Sequence, residues 1–323
     1  MTWRAAALYN HEQRNAVKAN HLTSNDLMAI AAIVLIWGTN FVAIKIGLRS
    51  FTPFQLGALR YCFGMLPLVF IVPAPKLSWK WILVYGLFQG VGQFGLLFIS
   101  FHAGMTAALA SVLMQTQMFF TAFFSLIFLS ERPSRTLMIG MLIAALGLGC
   151  FIINYMSPDA GLGTTTIASF LLCLGAASMW ALSNIIVRLA QRKTPEFDVL
   201  GFLAWCSVVP ILPFLVMSFF FESPVDRTRW IATGWEGWLS AAYLGWVATI
   251  FANSMWTNLL KRHGANQVAP FSLGIPVVGL ASGIIFLGEH VSPWQWAGIV
   301  LTLLALTHVI FGGRAKSGAE TTR

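Results

Sequence analysis

Amide and hydroxyl side chains, together with tryptophans, recur inside long apolar runs of this sequence. An amide both donates and accepts hydrogen bonds, so a group of amides can hold an ammonium and a carboxylate without a fixed charge. Asn40 follows Trp37 by three residues and Asn184 follows Trp180 by four, so each pair shares one helix face. We therefore expect a site for a small polar molecule, the alternative being that these groups only join helices to one another. The candidate binding residues are Trp37, Asn40, Gln89, Gln93, Gln115, Gln117, Trp180, Ser183, Asn184, Asn253, Trp256 and Ser272.

The sequence offers little for catalysis or for a cofactor. Its six histidines show no H-E-x-x-H spacing, and no G-x-S-x-G or S-x-x-K motif is present. The stretch from Gly90 to Gly95 matches G-x-G-x-x-G, but it lies in an apolar run, and no acidic residue follows it until Glu131. Close helix packing explains these glycines better than a dinucleotide site does. We expect no metal, no cofactor and no enzymatic activity.

The composition indicates a membrane protein that is entirely helical. Of 323 residues, 57% are hydrophobic and 10% are charged, whereas a soluble domain carries about 25% charged residues. A helix that crosses the hydrocarbon core needs about 20 mostly apolar residues, and the short connections leave no room for a soluble domain. The predicted transmembrane runs are 27–48, 54–72, 79–101, 106–129, 136–154, 167–190, 199–221, 236–260, 266–287 and 294–312.

Three dipeptides are expected to mark helix starts. Thr52-Pro53, Thr194-Pro195 and Ser292-Pro293 each place a hydroxyl before a proline. The hydroxyl can cap the first turn, and proline is well tolerated at the first helical position.

The net charge of +9 is distributed along the chain rather than gathered in one patch. When the connections are assigned alternately to two sides, one side holds only Arg49, Arg227 and Arg229, and most other Lys and Arg residues fall on the opposite side. Basic loops stay in the cytoplasm, so both termini are expected there, with contact to anionic lipid. The charge therefore gives no support to nucleic-acid binding. The segments 1–26 and 313–323 are predicted to be the cytoplasmic amino-terminal segment and tail.

The sequence repeats internally, with a half of five spans occurring twice. Trp37, Lys45 and Pro67 recur 143 residues later as Trp180, Arg188 and Pro210, and the run 128–131 recurs as 286–289. The predicted halves are 27–154 and 167–312, joined by an extracytoplasmic linker at 155–166. Because five is odd, the second half must be inverted relative to the first, as in many secondary transporters.

Prolines mark places where the helices are expected to bend. Pro67 and Pro210 occupy matching positions of the two halves and are predicted hinges. Pro276 lies in the middle of the ninth run, where it is expected to remove a helix hydrogen bond and produce a kink. The matching region of the fourth run is 115–117.

Several motifs resemble the drug/metabolite transporter superfamily, EamA type, and the resemblance covers nearly all of 27–312. It implies ten helices, both termini cytoplasmic, a central cavity between the halves, and export. The nearest resemblance is to bacterial inner-membrane exporters of amino acids and related metabolites, including the YddG-like exporters, with aromatic or other apolar amino acids among the expected substrates. We expect a monomer. The motifs are Ile36–Phe41 followed by Lys45, Ala110–Leu113, Gln115–Gln117, Leu129–Arg132, Val268–Pro270, Pro276–Gly279 and Leu287–Glu289.

The charged residues bear on the substrate class, but they leave alternatives open. None of the eleven acidic residues lies in the middle of a run, which disfavours proton-coupled export of cationic drugs through a buried carboxylate. A multidrug or sugar-type carrier of the same superfamily is the alternative, and an intramembrane enzyme would need paired acids that are not there. Lys45, Arg60 and Arg188 lie within runs, where each either extends to the membrane surface or attracts a substrate carboxylate.

Overall fold

The computed structural model of the protein describes residues 22–156, 165–194 and 198–320. Within these ranges every regular element is helical. Four predicted features lie wholly or partly outside these ranges: the amino-terminal segment up to residue 21, the linker residues 157–164, Pro195 and the last residues of the tail. The long helices are α1 Ser24–Ser50, α2 Pro53–Ile71, α3 Trp79–His102, α4 Ala107–Leu129, α5 Arg135–Met156, α6 Ile167–Lys193, α7 Val199–Phe221, α8 235–263, α9 Ala269–Leu287 and α10 Pro293–Glu320.

The helices have the size and surface of a multi-pass membrane bundle. Nine of the described helices are long and apolar enough to cross a membrane, and α8 is the long helix that falls outside this set. Large apolar side chains cover the outer surface. Phe70, Leu142 and Phe220 are 81%, 68% and 73% exposed, an arrangement that suits contact with lipid and not with water. The expected all-helical, polytopic fold is confirmed.

Small side chains let the central helices approach one another closely. Ala107, Ala108 and Ala110 of α4 and Ala176 and Ala177 of α6 are completely buried in the largest apolar cluster. Lipid tails are as apolar as the helices, so association inside a membrane depends on such close packing.

Helices at matching positions of the two halves run antiparallel. Gly147 of α5 packs on Gly298 of α10, where an added Cβ would lie 3.0 Å from the Gly298 carbonyl oxygen. Further along, Gly140 of α5 lies against Val309 of α10. Residue numbers decrease along α5 in the direction in which they increase along α10, so the two helices run antiparallel. The inverted orientation expected from the odd number of spans is therefore present.

Two of the three predicted helix starts are capped as expected. Thr52 caps α2 and Ser292 caps α10, each in a reciprocal capping box with the residue three positions later. The prediction for Thr194-Pro195 is wrong. Thr194 ends α6, and α7 begins at Val199 with the Asp198 carboxylate as its cap. A carboxylate caps a helix as well as a hydroxyl does, so the repeated Thr-Pro dipeptide misplaced the start.

The ninth span is irregular just before Pro276. A 3₁₀ turn occupies Ala269–Leu273, and Pro276 falls in the first turn of the α-helical segment that follows. The matching region of α4 also contains a 3₁₀ turn, at Met114–Thr116.

Asp26 connects the beginning of α1 to the end of α8. It accepts hydrogen bonds from the backbone nitrogen and the hydroxyl of Thr23 at 3.0 and 2.7 Å. Asp26 also forms an ion pair with Arg262 at 2.9 Å, and its carboxylate lies 3.0 Å from Nε2 of His263. The helix starts at Ser24 because of this capping box, so Asp26 belongs to α1 and not to the preceding polar segment.

We expect Asp26→Ala to lower the free energy of unfolding by at least about 1 kcal/mol, because the substitution removes a cap and leaves Arg262 without its partner. The measurement is the thermal unfolding midpoint of the purified protein in detergent. Glu236→Ala is the matched control, since Glu236 is an exposed acid in the first turn of α8. Equal midpoints for the two variants would contradict this role of Asp26.

Candidate functional site

Gln89 and Ser183 join α3 of the first half to α6 of the second. The Ser183 hydroxyl donates to the Gln89 side-chain oxygen, and Ser183 is completely buried. Gln89 lies in a π-helical stretch of α3, Gly86–Gly95. Such wider turns are rare and are often found at functional sites.

A second polar group joins α4 to α6. Asn184 donates through Nδ2 to the side-chain oxygen of Gln117 at 2.9 Å and to the hydroxyl of Thr121 at 3.4 Å. Ser183 and Asn184 are adjacent, so one turn of α6 holds both α3 and α4 of the opposite half. These two contacts make the bundle interior polar where the halves meet.

Asn40 belongs to a third group, formed by α1, α2 and α3. Its side-chain oxygen accepts from Nη1 of Arg60 at 3.2 Å, and the guanidinium carbon of Arg60 lies 3.8 Å from the ring centre of Phe94. Arg60 is only 3% exposed. Of the two interpretations left open by the sequence, extension of Arg60 to the membrane surface is therefore excluded. Sequence reasoning left Arg60 off the candidate set, although an arginine within an apolar run is itself a signal.

Gln93 and Gln115 are also buried, at 3% and 8% exposure. The side-chain oxygen of Gln93 has no hydrogen-bond partner among the described residues. Since a buried acceptor without a donor is costly, this oxygen is available to a ligand.

The remaining candidates make local contacts. Trp37 and Trp256 meet edge to face at 5.5 Å and belong to a separate apolar cluster of α1 and α8. Asn253 and Ser272 donate to carbonyl oxygens of their own helices. Trp180 packs against the main apolar cluster. The structure therefore brings together only part of the candidate set.

Lys45 and Arg188 have protein partners near the ends of their helices. The Lys45 amine donates to the carbonyl of Met105 at 2.8 Å. Arg188 pairs with Glu131 at 2.8 Å, and Arg192 pairs with the same carboxylate at 3.2 Å. Both repeat-related cations therefore act in contacts between helix ends.

Irregular turns occur at matching places in both halves. The π-helical stretch Gly86–Gly95 of α3 has a counterpart in α8, Tyr243–Phe251. The indole nitrogen of Trp37 donates to a carbonyl of this second stretch, the Ala248 oxygen, at 3.1 Å. Helix breaks also occur at Pro67 in α2 and at Pro210 in α7. Paired irregularities of this kind are typical of transporter binding regions.

The site contains amides, hydroxyls, aromatic rings and one arginine. In the part of the chain that the structure describes, no group of three or more His, Cys, Asp or Glu side chains could hold a metal ion. Hydrogen bonding to a small polar molecule is the chemistry that this arrangement supports.

Comparison with known proteins agrees with the fold and the repeat. A sequence model of the EamA-like transporter family matches residues 24–154 and again residues 167–311. The chain belongs to the EamA-like transporter family. A crystal structure superposes with a TM-score of 0.60 and 17% sequence identity, over 89% of this chain and 97% of the other, and this likeness concerns the fold alone.

Two bacterial relatives carry a functional name. One from Salmonella typhimurium is 38% identical over 90% of this chain and 96% of its own length, and one from Escherichia coli is 34% identical over 93% and 99%. Each is named a probable amino-acid metabolite efflux pump. Family and relatives thus indicate a transporter of the drug/metabolite superfamily and not an enzyme, acting on a small molecule.

Close backbone contact between α2 and α8 holds the turn that carries Arg60. A Cβ added to Gly245 would lie 2.6 Å from the Arg60 carbonyl oxygen and 2.9 Å from the Gly64 nitrogen. We expect Gly245→Ala to destabilise the protein by about 1–3 kcal/mol, because backbone atoms cannot move aside as a flexible side chain can.

The measurement is again the unfolding midpoint in detergent. Gly149→Ala in α5 is the control, since no atom lies within 4 Å of an added Cβ there. Alanine also favours a helix more than glycine does, so this control should keep or slightly raise the midpoint. A midpoint for Gly245→Ala as high as that of Gly149→Ala would contradict the proposed close packing.

Proposed function

We propose that this protein is a secondary transporter that exports amino acids and related small metabolites by alternating access. The observation that carries the proposal is the neutral polar contact between the halves, in which Ser183 and Asn184 hold Gln89 and Gln117. These amides can receive both the ammonium and the carboxylate of an amino acid. The names of the two relatives support the same substrate class.

The proposed binding region includes the sequence candidates that lie in or beside this polar interior. Asn40, Gln89, Gln93, Gln117 and Asn184 are its polar members. Trp180 lies three residues before Ser183 on α6 and packs against the main apolar cluster, and in our proposal it offers an aromatic surface to an apolar side chain.

The two ends of the bundle differ in a way that supports alternating access. Where α4 begins, the Glu289 carboxylate accepts from the backbone nitrogens of Ala107 and Ala108 at 2.7 and 2.8 Å. Gly283 of α9 packs on the same Ala108. Glu131 is the counterpart of Glu289 in the first half, and it is bound to partly exposed arginines of α6. In the proposed mechanism, these contacts of α4 with α9 keep this end closed in one of the carrier's two states.

The proposed location is the bacterial inner membrane, with both termini in the cytoplasm. The distribution of Lys and Arg among the connections supports this orientation. It places the closed end, where α4 begins, on the extracytoplasmic side. Pro67 and Pro210, at matching helix breaks, are the proposed hinges for the movement between states, and one chain contains both halves that this movement needs.

Uptake of labelled amino acids into liposomes that contain the purified protein tests the substrate class. We expect amino acids with apolar or aromatic side chains to enter faster than into empty liposomes. Movement of sugars or cationic drugs, with no amino acid transported, would replace our proposal with the alternative carrier. Repeating the assay with and without a pH gradient measures coupling to protons.

In the same assay, Asn40→Ala should reduce transport about threefold to tenfold, the effect of losing one hydrogen bond to substrate or to Arg60. Asn258→Ala is the matched control, since Asn258 is an exposed amide of α8. An unchanged rate in Asn40→Ala would remove Asn40 from the site.

Glu289→Ala should open the closed end more often, because the first turn of α4 loses the carboxylate that binds its two backbone nitrogens. Ala107→Cys provides the reporter, as Ala107 is completely buried in this state. We expect faster maleimide labelling of this cysteine when Glu289→Ala is added, measured against the protein with its native cysteines alone. Labelling that stays at the rate of Ala107→Cys alone would show that Glu289 does not hold this end closed.

A further inference from the structure

Arg60 is a buried cation whose hydrogen-bonding capacity is only partly used. Only 3% of the surface of Arg60 is exposed, and its Nε has no hydrogen-bond partner among the described residues. Nη1 bonds to the neutral oxygen of Asn40, and the guanidinium lies over the ring of Phe94. The ion pairs of the described residues involve Arg188, Arg192 and other groups, and none involves Arg60.

Burying a guanidinium in this position costs free energy. Burial removes water from a charge, and a neutral amide with an aromatic ring compensates only in part. Charged side chains inside membrane spans therefore usually serve substrate or ion pathways. Arg60 matches this description, since α2 is a membrane-spanning helix and Asn40 and Phe94, its two neighbours, are buried as well.

The internal repeat shows that packing does not require an arginine here. The offset that relates Pro67 to Pro210 and Trp37 to Trp180 relates Arg60 to Leu203. The second half therefore builds the same part of its fold with an apolar side chain. The partners differ too, because Ser183 stands where the first half has Asn40. The charge is thus a property of one half only and has no role in the shared architecture.

We propose that Arg60 binds the carboxylate of the transported molecule, so that the substrates are small carboxylates, foremost zwitterionic amino acids. A guanidinium matches a carboxylate through two parallel hydrogen bonds, and the free Nε can supply one of them. A phosphate dianion would call for further cations, whereas the groups in contact with Arg60 are neutral.

The neighbouring helix leaves an acceptor free for the other end of an amino acid. Gln93 precedes Phe94 on α3, and its buried oxygen lacks a donor. An unpaired donor on α2 and an unpaired acceptor on α3 suit a ligand that carries both a carboxylate and an ammonium. Gln93 is therefore assigned to the ammonium.

The test separates this inference, which rests on the proposed function, from the function itself. Labelled phenylalanine uptake into liposomes is challenged with unlabelled phenylalanine, with its carboxamide and with phenethylamine, which lacks the carboxyl group. The wild-type protein should be inhibited by phenylalanine and at least about tenfold less by the two compounds without a carboxylate. Equal inhibition by all three would overturn the carboxylate site while leaving amino-acid transport intact.

Variants of Arg60 assign the preference to this residue. Arg60→Leu copies the residue of the second half and should lose the preference for phenylalanine over its carboxamide, while Arg60→Lys should keep part of it. Lys80→Leu removes an exposed cation outside the site and should behave as wild type. A well-folded Arg60→Leu protein that keeps the full preference would overturn the proposal.

Ligand-induced thermal stabilisation in detergent gives a second measurement that does not depend on transport. Benzoate and phenylalanine should raise the unfolding midpoint of the wild-type protein, and benzamide should not. This comparison decides the proposal even when Arg60→Leu fails to fold or when liposomes show no amino-acid transport, in which case the proposed function fails separately. Equal stabilisation by benzoate and benzamide would contradict carboxylate binding by Arg60.

Discussion

Inside a membrane, water cannot satisfy a polar group, so every buried polar side chain must find a partner in the protein or in a ligand. This constraint organises the centre of the bundle. Ser183 and Asn184 satisfy Gln89 and Gln117 across the interface between the halves. The contacts that hold helices of opposite halves together are therefore neutral and polar, and we propose that they also form the surface that recognises a small substrate. Nε of Arg60 and the Gln93 oxygen are among the buried atoms without a hydrogen-bond partner in the described residues, and in our proposal a substrate supplies the partner of each.

The inverted repeat provides two ends that can be closed in similar ways. Helices α4 and α9 are counterparts that run in opposite directions, so the end of one lies beside the beginning of the other. Glu289 uses this arrangement to bind the first turn of α4, where the helix dipole favours a negative charge. Glu131, at the matching position, pairs with arginines of α6. In the alternating access that we propose, these two sets of contacts, alike in origin but different in partners, would each close one end of the bundle.

The repeat also shows where the two halves have diverged. Both halves keep the tryptophan and the proline at matching positions, and both have π-helical turns in matching helices. Arg60 has Leu203 as its counterpart, and Asn40 has Ser183. Features shared by the halves are explained by the common fold, so the unshared arginine is the better indicator of what the protein binds.

The sequence by itself determined the helical membrane fold, the repeat and its inversion, because apolar length and the odd number of spans leave few alternatives. It also placed the caps at Thr52 and Ser292, since capping depends on residues within one turn. It failed for Thr194, because Asp198, four residues later, can cap a helix equally well and does so. Only the tertiary structure decided which polar residues meet. Asn253 and Ser272 bond within their own helices, whereas Asn40 meets an arginine twenty positions away. Such partners depend on helix rotation and packing, which spacing along one helix does not specify.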